Sequence, residues 1–267
     1  MNSEATIQFT HVTKIFGGTA SAAHTAVDDL SILLDNTSRL GVIGESGSGK
    51  STFVRMMLGL EHPTAGTVEF EGQSLARMTR GQLRRFRTAV QLVAQDTSSS
   101  FDPRRTLRDG VRRPLLELLS MSTREADRVI DDTLEALSLD PQLADRLPRQ
   151  VSGGQRQRFS IARALVVRPK LIICDEAVSA LDVSVQGSVL NLLKDHCESR
   201  DAGLVFVSHA LPATAFIAEH LIVMHQGTVV ERGTVEDVIF HSKHPYTAKL
   251  VDAHRRTANE VQSEVTA

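Results

Sequence analysis

The sequence predicts an α/β fold with a mostly parallel sheet, antiparallel β elements near the N-terminus and an inserted helical subdomain. Three observations predict it. Short apolar runs of strand length alternate with helical patterns on both sides of the chain's middle. A glycine-rich turn joins the apolar run 40–43 to a helical pattern over 53–60, which is the opening of a βαβ unit. Strand signals stop between about residues 95 and 151, where apolar residues recur at helical spacing instead.

Taken in order, Ile7, Phe9 and Val12 mark one face of an opening strand. Residues 67–70 form a further strand that turns at Glu71 and Gly72. In the middle section Ser122 and Glu125 precede Ala126, Val129, Ile130, Leu134 and Leu137. A hydroxyl and a carboxylate at that spacing satisfy the orphan amides of a helix start. Pro141 and Pro148 punctuate its exit. Strands return at 171–174 and 204–207, separated by a helical pattern over about 189–197. Residues 221–224 and 229–230 flank Gln226 and Gly227 and predict a β-hairpin. After about residue 241 the chain turns polar and reads as a mobile tail. The expected organisation is a first part of the core over 1–94, the helical subdomain over 95–157, a second part of the core over 158–240 and the tail over 241–267.

Composition narrows the function. Lys and Arg number 30 against 32 Asp and Glu, a net charge of −2, which argues against a surface that grips nucleic acid through its phosphates. No apolar run approaches the roughly 20 residues of a membrane-spanning helix. Met1, Asn2, Ser3 and Glu4 carry no basic segment leading into an apolar one, so no signal peptide is expected. Cys174 and Cys197 supply neither a disulfide framework nor a metal set, and a reducing cytosol is expected. Trp is absent and Tyr246 is the sole tyrosine, which disfavours stacking platforms for single strands.

Gly44, Glu45, Ser46, Gly47, Ser48, Gly49, Lys50 and Ser51 match G-x-x-x-x-G-K-[ST] at every position, with Thr52 following. Glycines let backbone N–H groups wrap the α- and β-phosphates of a nucleoside triphosphate. The lysine reaches the β- and γ-phosphates, and the Ser51 hydroxyl suits Mg²⁺. The helix behind the loop adds its positive end. The core expected around such a loop is of the P-loop NTPase (RecA-like) type. The strand 171–174 ends in Asp175 and Glu176. Strand alternation places them on different sides, Asp175 toward Mg²⁺ and Glu176 toward an attacking water that needs a general base. Ser152, Gly153, Gly154 and Gln155 open a helical run over 159–165 and offer a second anion site at a helix start.

The joint pattern resembles the ATP-binding subunit of an ABC transporter over roughly residues 5–240. The phosphate loop, Ser152 to Gln155, Asp175 and Glu176, then Ser179, Ala180, Leu181 and Asp182, then His209 stand in that family's order. The resemblance implies ATP and Mg²⁺ as cofactors and a head-to-tail dimer in which Ser152 and Gly154 of one subunit touch the γ-phosphate held by the other. It implies that Gln95 senses Mg²⁺ and the attacking water, that His209 contacts the γ-phosphate, that residues 179–182 couple the two sites and that Phe16 stacks on adenine. The catalytic set implied is Glu176, His209, Gln95 and Lys50, and the metal set Ser51, Gln95 and Asp175. The family usually carries Asp after the switch histidine, where this chain has Ala210.

His244, Pro245, Tyr246 and Thr247, followed by Leu250, resemble the tail motif of the oligopeptide, dipeptide and nickel importer branch. So do Ala177 and Val178, and the stretch from Gln95 through Ser98, Ser99, Ser100, Phe101, Asp102 and Pro103 to Arg104 and Arg105. That branch implies a second ATP-binding subunit, two membrane permeases and an extracytoplasmic binding protein, no nucleic acid, and a peripheral place on the cytoplasmic face of a bacterial membrane. Arg104, Arg105, Arg108, Arg112 and Arg113 lie near where the family docks its permeases; Arg77, Arg80, Arg84, Arg85 and Arg87 read as a solvated helical face. The alternative is a soluble ABC-type ATPase of DNA repair or translation. Against it, about 55 residues separate Gln95 from Ser152, too few for coiled-coil arms, and the chain has one phosphate loop. A P-loop kinase fits the second anion loop poorly.

Overall fold

A computed structural model describes residues 6–17, 23–95, 100–178 and 183–265. The first stretch of chain forms β1 (Ile7–Phe16), β2 (His24–Leu34), β3 (Arg39–Ile43), α1 (Lys50–Met57), β4 (Ala65–Phe70), β5 (Gln73–Ser74), α2 (Arg80–Ala89) and β6 (Val90–Val93). Three helices follow: α3 (Leu107–Leu119), α4 (Thr123–Ala136) and α5 (Gly153–Leu165). The chain then runs through β7 (Leu171–Asp175), α6 (Val183–Arg200), β8 (Gly203–Val207), α7 (Leu211–Ile217), β9 (His220–His225), β10 (Thr228–Thr234), α8 (Val235–Phe240) and α9 (Pro245–Val265).

Among the described residues there are two sheets. One is antiparallel, in the order β2-β1-β4-β5; the other runs β10-β9-β3-β8-β7-β6, with every neighbouring pair parallel except β10 and β9. Burial on both faces explains the unbroken apolar strands of the second sheet. Ile172, Cys174, Leu204 and Phe206 join the core shared with α3, α4 and α5. The alternating Leu171, Ile173, Val205 and Val207 join the core beneath the antiparallel sheet. Phe9 meets Phe53 edge-on at 5.1 Å, and Phe70 meets Phe86 at 5.2 Å, locking that second core.

Several elements depart from the sequence reading. Ile7, Phe9 and Val12 are all buried although Phe9 and Val12 are three residues apart, because a bulge breaks the register between them and His11 takes a φ of +48°. The helix expected over 53–60 begins at Lys50 and ends at Met57. The amides of Gly59 and Leu60 turn back to the carbonyls of Met56 and Arg55 and stop it. The tail is not a mobile coil but the helix α9. The Glu231 carboxylate accepts the Lys243 and His244 amides just before its start, and buried Val251 packs with Ile43, Leu211 and Val223. Ser122 and Glu125 form the capping box at α4. Arg108 and Arg112 turn inward, to Asp131 and Asp145 and to Asp109 and Asp127 respectively, and tie α3 to α4.

Candidate functional site

Because β3, β8, β7 and β6 run parallel, their carboxyl ends open on one edge, the place where α/β sheets bind ligands. The phosphate loop follows β3, Ser208 and His209 follow β8, Glu176 follows β7, and Gln95 follows β6. Four stretches far apart in sequence thus converge by topology alone.

The loop's backbone is held from several directions. At Gly44 (φ +153°) a Cβ would lie 2.2 Å from the Met224 carbonyl oxygen, and at Gly49 (φ +106°) 2.1 Å from that of Ala26, so both positions exclude a side chain. The Gly227 amide, in the β9–β10 turn, donates to the Ser48 carbonyl at 3.0 Å, and the Gly227 carbonyl accepts the Asp28 amide at 2.9 Å. The hairpin therefore ties the loop to the antiparallel sheet. The Glu45 amide donates to the Tyr246 hydroxyl at 3.1 Å. Lys50 is buried, and its Nζ donates to the carbonyls of Gly44 and Glu45, each at 2.7 Å. Burial pulls its pKa below the ordinary lysine value, while the carboxylates of Glu176, Asp175 and Glu45 pull the other way. Ser51 is exposed at the first turn of α1, and Thr52 beside it is half-buried.

Asp175 ends β7 and Glu176 follows it directly. Glu176 leaves β7 with a φ of +50°, its amide donating to the Val207 carbonyl at 2.8 Å, and both carboxylates act on the Lys50 ammonium. Burial, and then the charge of Glu176, raises the Asp175 carboxyl above the usual aspartate value. Gln95 Nε2 donates to Glu176 Oε2 at 2.7 Å, and His209 Nδ1 lies 3.3 Å from Glu176 Oε1. The implied base is thus braced from β6 and from β8.

Ser152 to Gln155 stand apart from this group. Ser152 caps α5: its Oγ accepts the Gln155 amide, and its own amide donates to Gln155 Oε1. Among the described residues neither hydrogen-bonds to the phosphate loop. A Cβ built on Gly153 would meet nothing within 4 Å, so among the described residues nothing requires glycine there. Phe16 is 38% exposed, with the Lys14 ammonium 4.8 Å from its ring centroid. Residues 179–182 and 96–99 lie outside the described residues.

The ABC transporter family profile matches residues 27–179. The chain belongs to the ABC transporter family. As an ATP-binding cassette of that family it is an ATPase. It is 41% identical over 228 residues to the "Probable peptide ABC transporter ATP-binding protein y4tS" of Sinorhizobium fredii, covering 85% of this chain and 65% of the relative. It is 40% identical over 234 residues to the "Nickel import ATP-binding protein NikE" of Brucella suis, covering 88% of each. Its fold matches a dimeric, post-hydrolysis structure of the ATP-binding cassette MJ0796 bound to ADP and Pi, with a TM-score of 0.77 and 26% identity over 86% of this chain and 98% of that one. These relatives are transport proteins, and none of them supports the DNA-repair alternative.

Three contacts to the cassette's site were not legible beforehand. In sequence Gly227 marks a hairpin turn and Tyr246 a tail motif, and both hold the phosphate loop. Gln157, buried in α5, donates to the Ala177 carbonyl next to Glu176 and links the helix that Ser152 caps to the end of β7. A buried, amide-bearing residue inside an apolar helix face was the available signal for the last.

Proposed function

We propose that this cassette powers a bacterial importer that takes up peptides, nickel or metal chelates, or similar small solutes. The observation that carries the chemistry is the convergence of Lys50, Asp175, Glu176, Gln95 and His209 at one sheet edge. In this reading Glu176 accepts a proton from the attacking water, Gln95 and His209 hold its carboxylate in place, and His209 turns to the γ-phosphate. Lys50 exchanges the Gly44 and Glu45 carbonyls for phosphate oxygens, while Gly44 to Thr52 cradle the phosphates and Phe16 meets the adenine.

Among the described residues no three of His, Cys, Asp and Glu cluster as a self-sufficient metal site. Mg²⁺ needs only one or two protein ligands beside substrate phosphates. A half-buried Asp175 kept uncomfortable by Glu176 fits that demand. Ser51 and Asp175, with Gln95 nearby, would hold the ion, which when bound neutralises phosphate charge.

The side chain that Gly153 lacks, beside an exposed Ser152, supports a partner cassette approaching this turn and setting Ser152, Gly153, Gly154 and Gln155 against its own γ-phosphate. Two or three hydrogen bonds to a charged group, about 1.5–3 kcal/mol each, correspond to roughly 10² to 10⁶ in dimer affinity before desolvation is subtracted. Hydrolysis ends that bridge, and opening can drive permeases docked on the helical subdomain. A cavity of about 680 Å³ bordered by Gln91, Phe101, Arg105, Arg113 and Glu117 supports the docking place. Among the described residues no helix is long and apolar enough to cross a membrane. The proposed place, by likeness to the importer relatives, is peripheral on the cytoplasmic face, beside two permeases that receive solute from an extracytoplasmic binding protein.

Purification of the tagged chain from detergent-solubilised host membranes tests this reading. Two integral membrane polypeptides and a cassette, a second copy or a homologue, are expected to co-purify. Capture of DNA or ribosomes in their place would overturn it.

A further inference from the structure

The C-terminal helix α9 reaches the site at two points. Near its start, the Tyr246 hydroxyl accepts the Glu45 amide of the phosphate loop at 3.1 Å. The phenol is itself fixed, stacked on His225 with ring centroids 3.9 Å apart and planes inclined by 28°. Its backbone is fixed as well, since the Tyr246 amide donates to His244 Nδ1 at 3.2 Å and Glu231 accepts the His244 amide. Two turns further on, His254 Nε2 lies 2.6 Å from the carbonyl oxygen of His209, and its Nδ1 lies 2.8 Å from that of Leu250. Both neighbours are acceptors. A neutral ring can serve one of them, and the imidazolium serves both.

This second contact falls on the turn between β8 and α7. Ala210 follows His209 and gives α7 no side-chain cap; the Ala210 amide donates to Ser208 Oγ instead. His209 is 63% exposed and touches Glu176 through Nδ1. Its main chain is gripped from outside the core by His254. One helix therefore holds both the loop that binds phosphate and the residue that faces the carboxylate of Glu176.

We propose that Tyr246 and His254 are positioning residues for ATP hydrolysis: Tyr246 acts through the phosphate loop and His254 through His209. The proposal rests on the phosphate-loop and switch-histidine assignments above and adds a role for α9. The two contacts divide the work, since the loop at Glu45 governs nucleotide binding and the carbonyl of His209 governs the geometry at the attacking water.

The test uses the full-length chain. Tyr246→Phe keeps the ring on His225 and removes the oxygen. It is expected to speed amide exchange at Glu45 and raise KM for ATP about threefold to tenfold, the scale of one hydrogen bond, with kcat within about twofold. His254→Leu removes both ring nitrogens and is expected to lower kcat about threefold to tenfold with KM nearly unchanged. His254→Gln keeps one N–H donor and is expected to recover part of that loss. Melting temperatures recorded alongside separate positioning from mere cover. If both variants lower Tm yet leave KM and kcat at wild-type values below the transition, or if Gln recovers nothing over Leu, the proposal is overturned. Lys50→Ala, run in parallel, distinguishes its failure from that of the underlying reading. Wild-type ATP affinity in Lys50→Ala would overturn the phosphate-loop assignment and this proposal with it, whereas weakened affinity there beside a silent Tyr246→Phe overturns this proposal alone.

Discussion

Gln95 Nε2 donates to Glu176 Oε2 at 2.7 Å, across 81 residues of sequence. The glutamine follows the edge strand β6, and the glutamate follows its neighbour β7. The bond thus joins the proposed base to the segment that, in the proposed reading, leads to a docked partner.

Replacing Glu176 by Gln keeps the shape and removes the proposed base. ATP binding is expected to remain and steady-state phosphate release to fall about 10² to 10⁴-fold, the usual worth of a positioned base. Gel filtration with Mg·ATP is expected to show an accumulated closed dimer. Normal turnover would remove Glu176 from that role.

Lys50→Ala deletes a buried ammonium that now rests on the Gly44 and Glu45 carbonyls. Loss of one charge-assisted contact to phosphate is worth about 1.5–3 kcal/mol, so ATP affinity measured by calorimetric titration should drop roughly 10- to 100-fold.

Asp175 carries a stability cost. Burial, and then the charge of Glu176, raises its carboxyl above the ordinary aspartate value. The folded state therefore favours the protonated form relative to the unfolded chain. Stability falls as pH climbs from the ordinary aspartate range through the raised value. Asp175→Asn should accordingly raise Tm at pH 7, by about 2–4 °C for each kcal/mol recovered in a chain of this size, while losing Mg²⁺-dependent turnover. The Tm gain should vanish below the aspartate range. An unchanged or lower Tm at neutral pH would contradict the assignment of cost.

Ala210 gives α7 no side-chain cap, and Pro212 leaves Ala213 as the first amide an Asp there could bind. Ala210→Asp should stabilise the chain by about 0.5–2 kcal/mol, read from urea midpoints. It should also soften the effect of losing His254, because the switch loop gains a second support.

The sequence by itself determined the motifs from which the proposed site is built. A glycine-rich loop between strand and helix, two acids closing an apolar strand, and Ser152 with Gly153 and Gly154 at a helix start are each defined by local spacing, and local spacing is what a linear reading resolves. β6 escaped it because four residues directly behind α2 carry too short a period to stand out. The limits of α1 escaped it because hydrogen bonds beyond the helix set them. The tail escaped it because α9 is an amphipathic element whose apolar residues, such as Val251, have meaning only once Ile43, Leu211 and Val223 present a surface to cover. The tertiary structure alone decided what meets at the sheet edge. Parallel order places Gln95, Glu176 and His209 together, and a positive φ turns Glu176 off its strand. The return of the chain sets Tyr246 on Glu45 and His254 on His209. Contacts of this kind are fixed by strand order and the packing of distant segments, and no spacing along the chain encodes them.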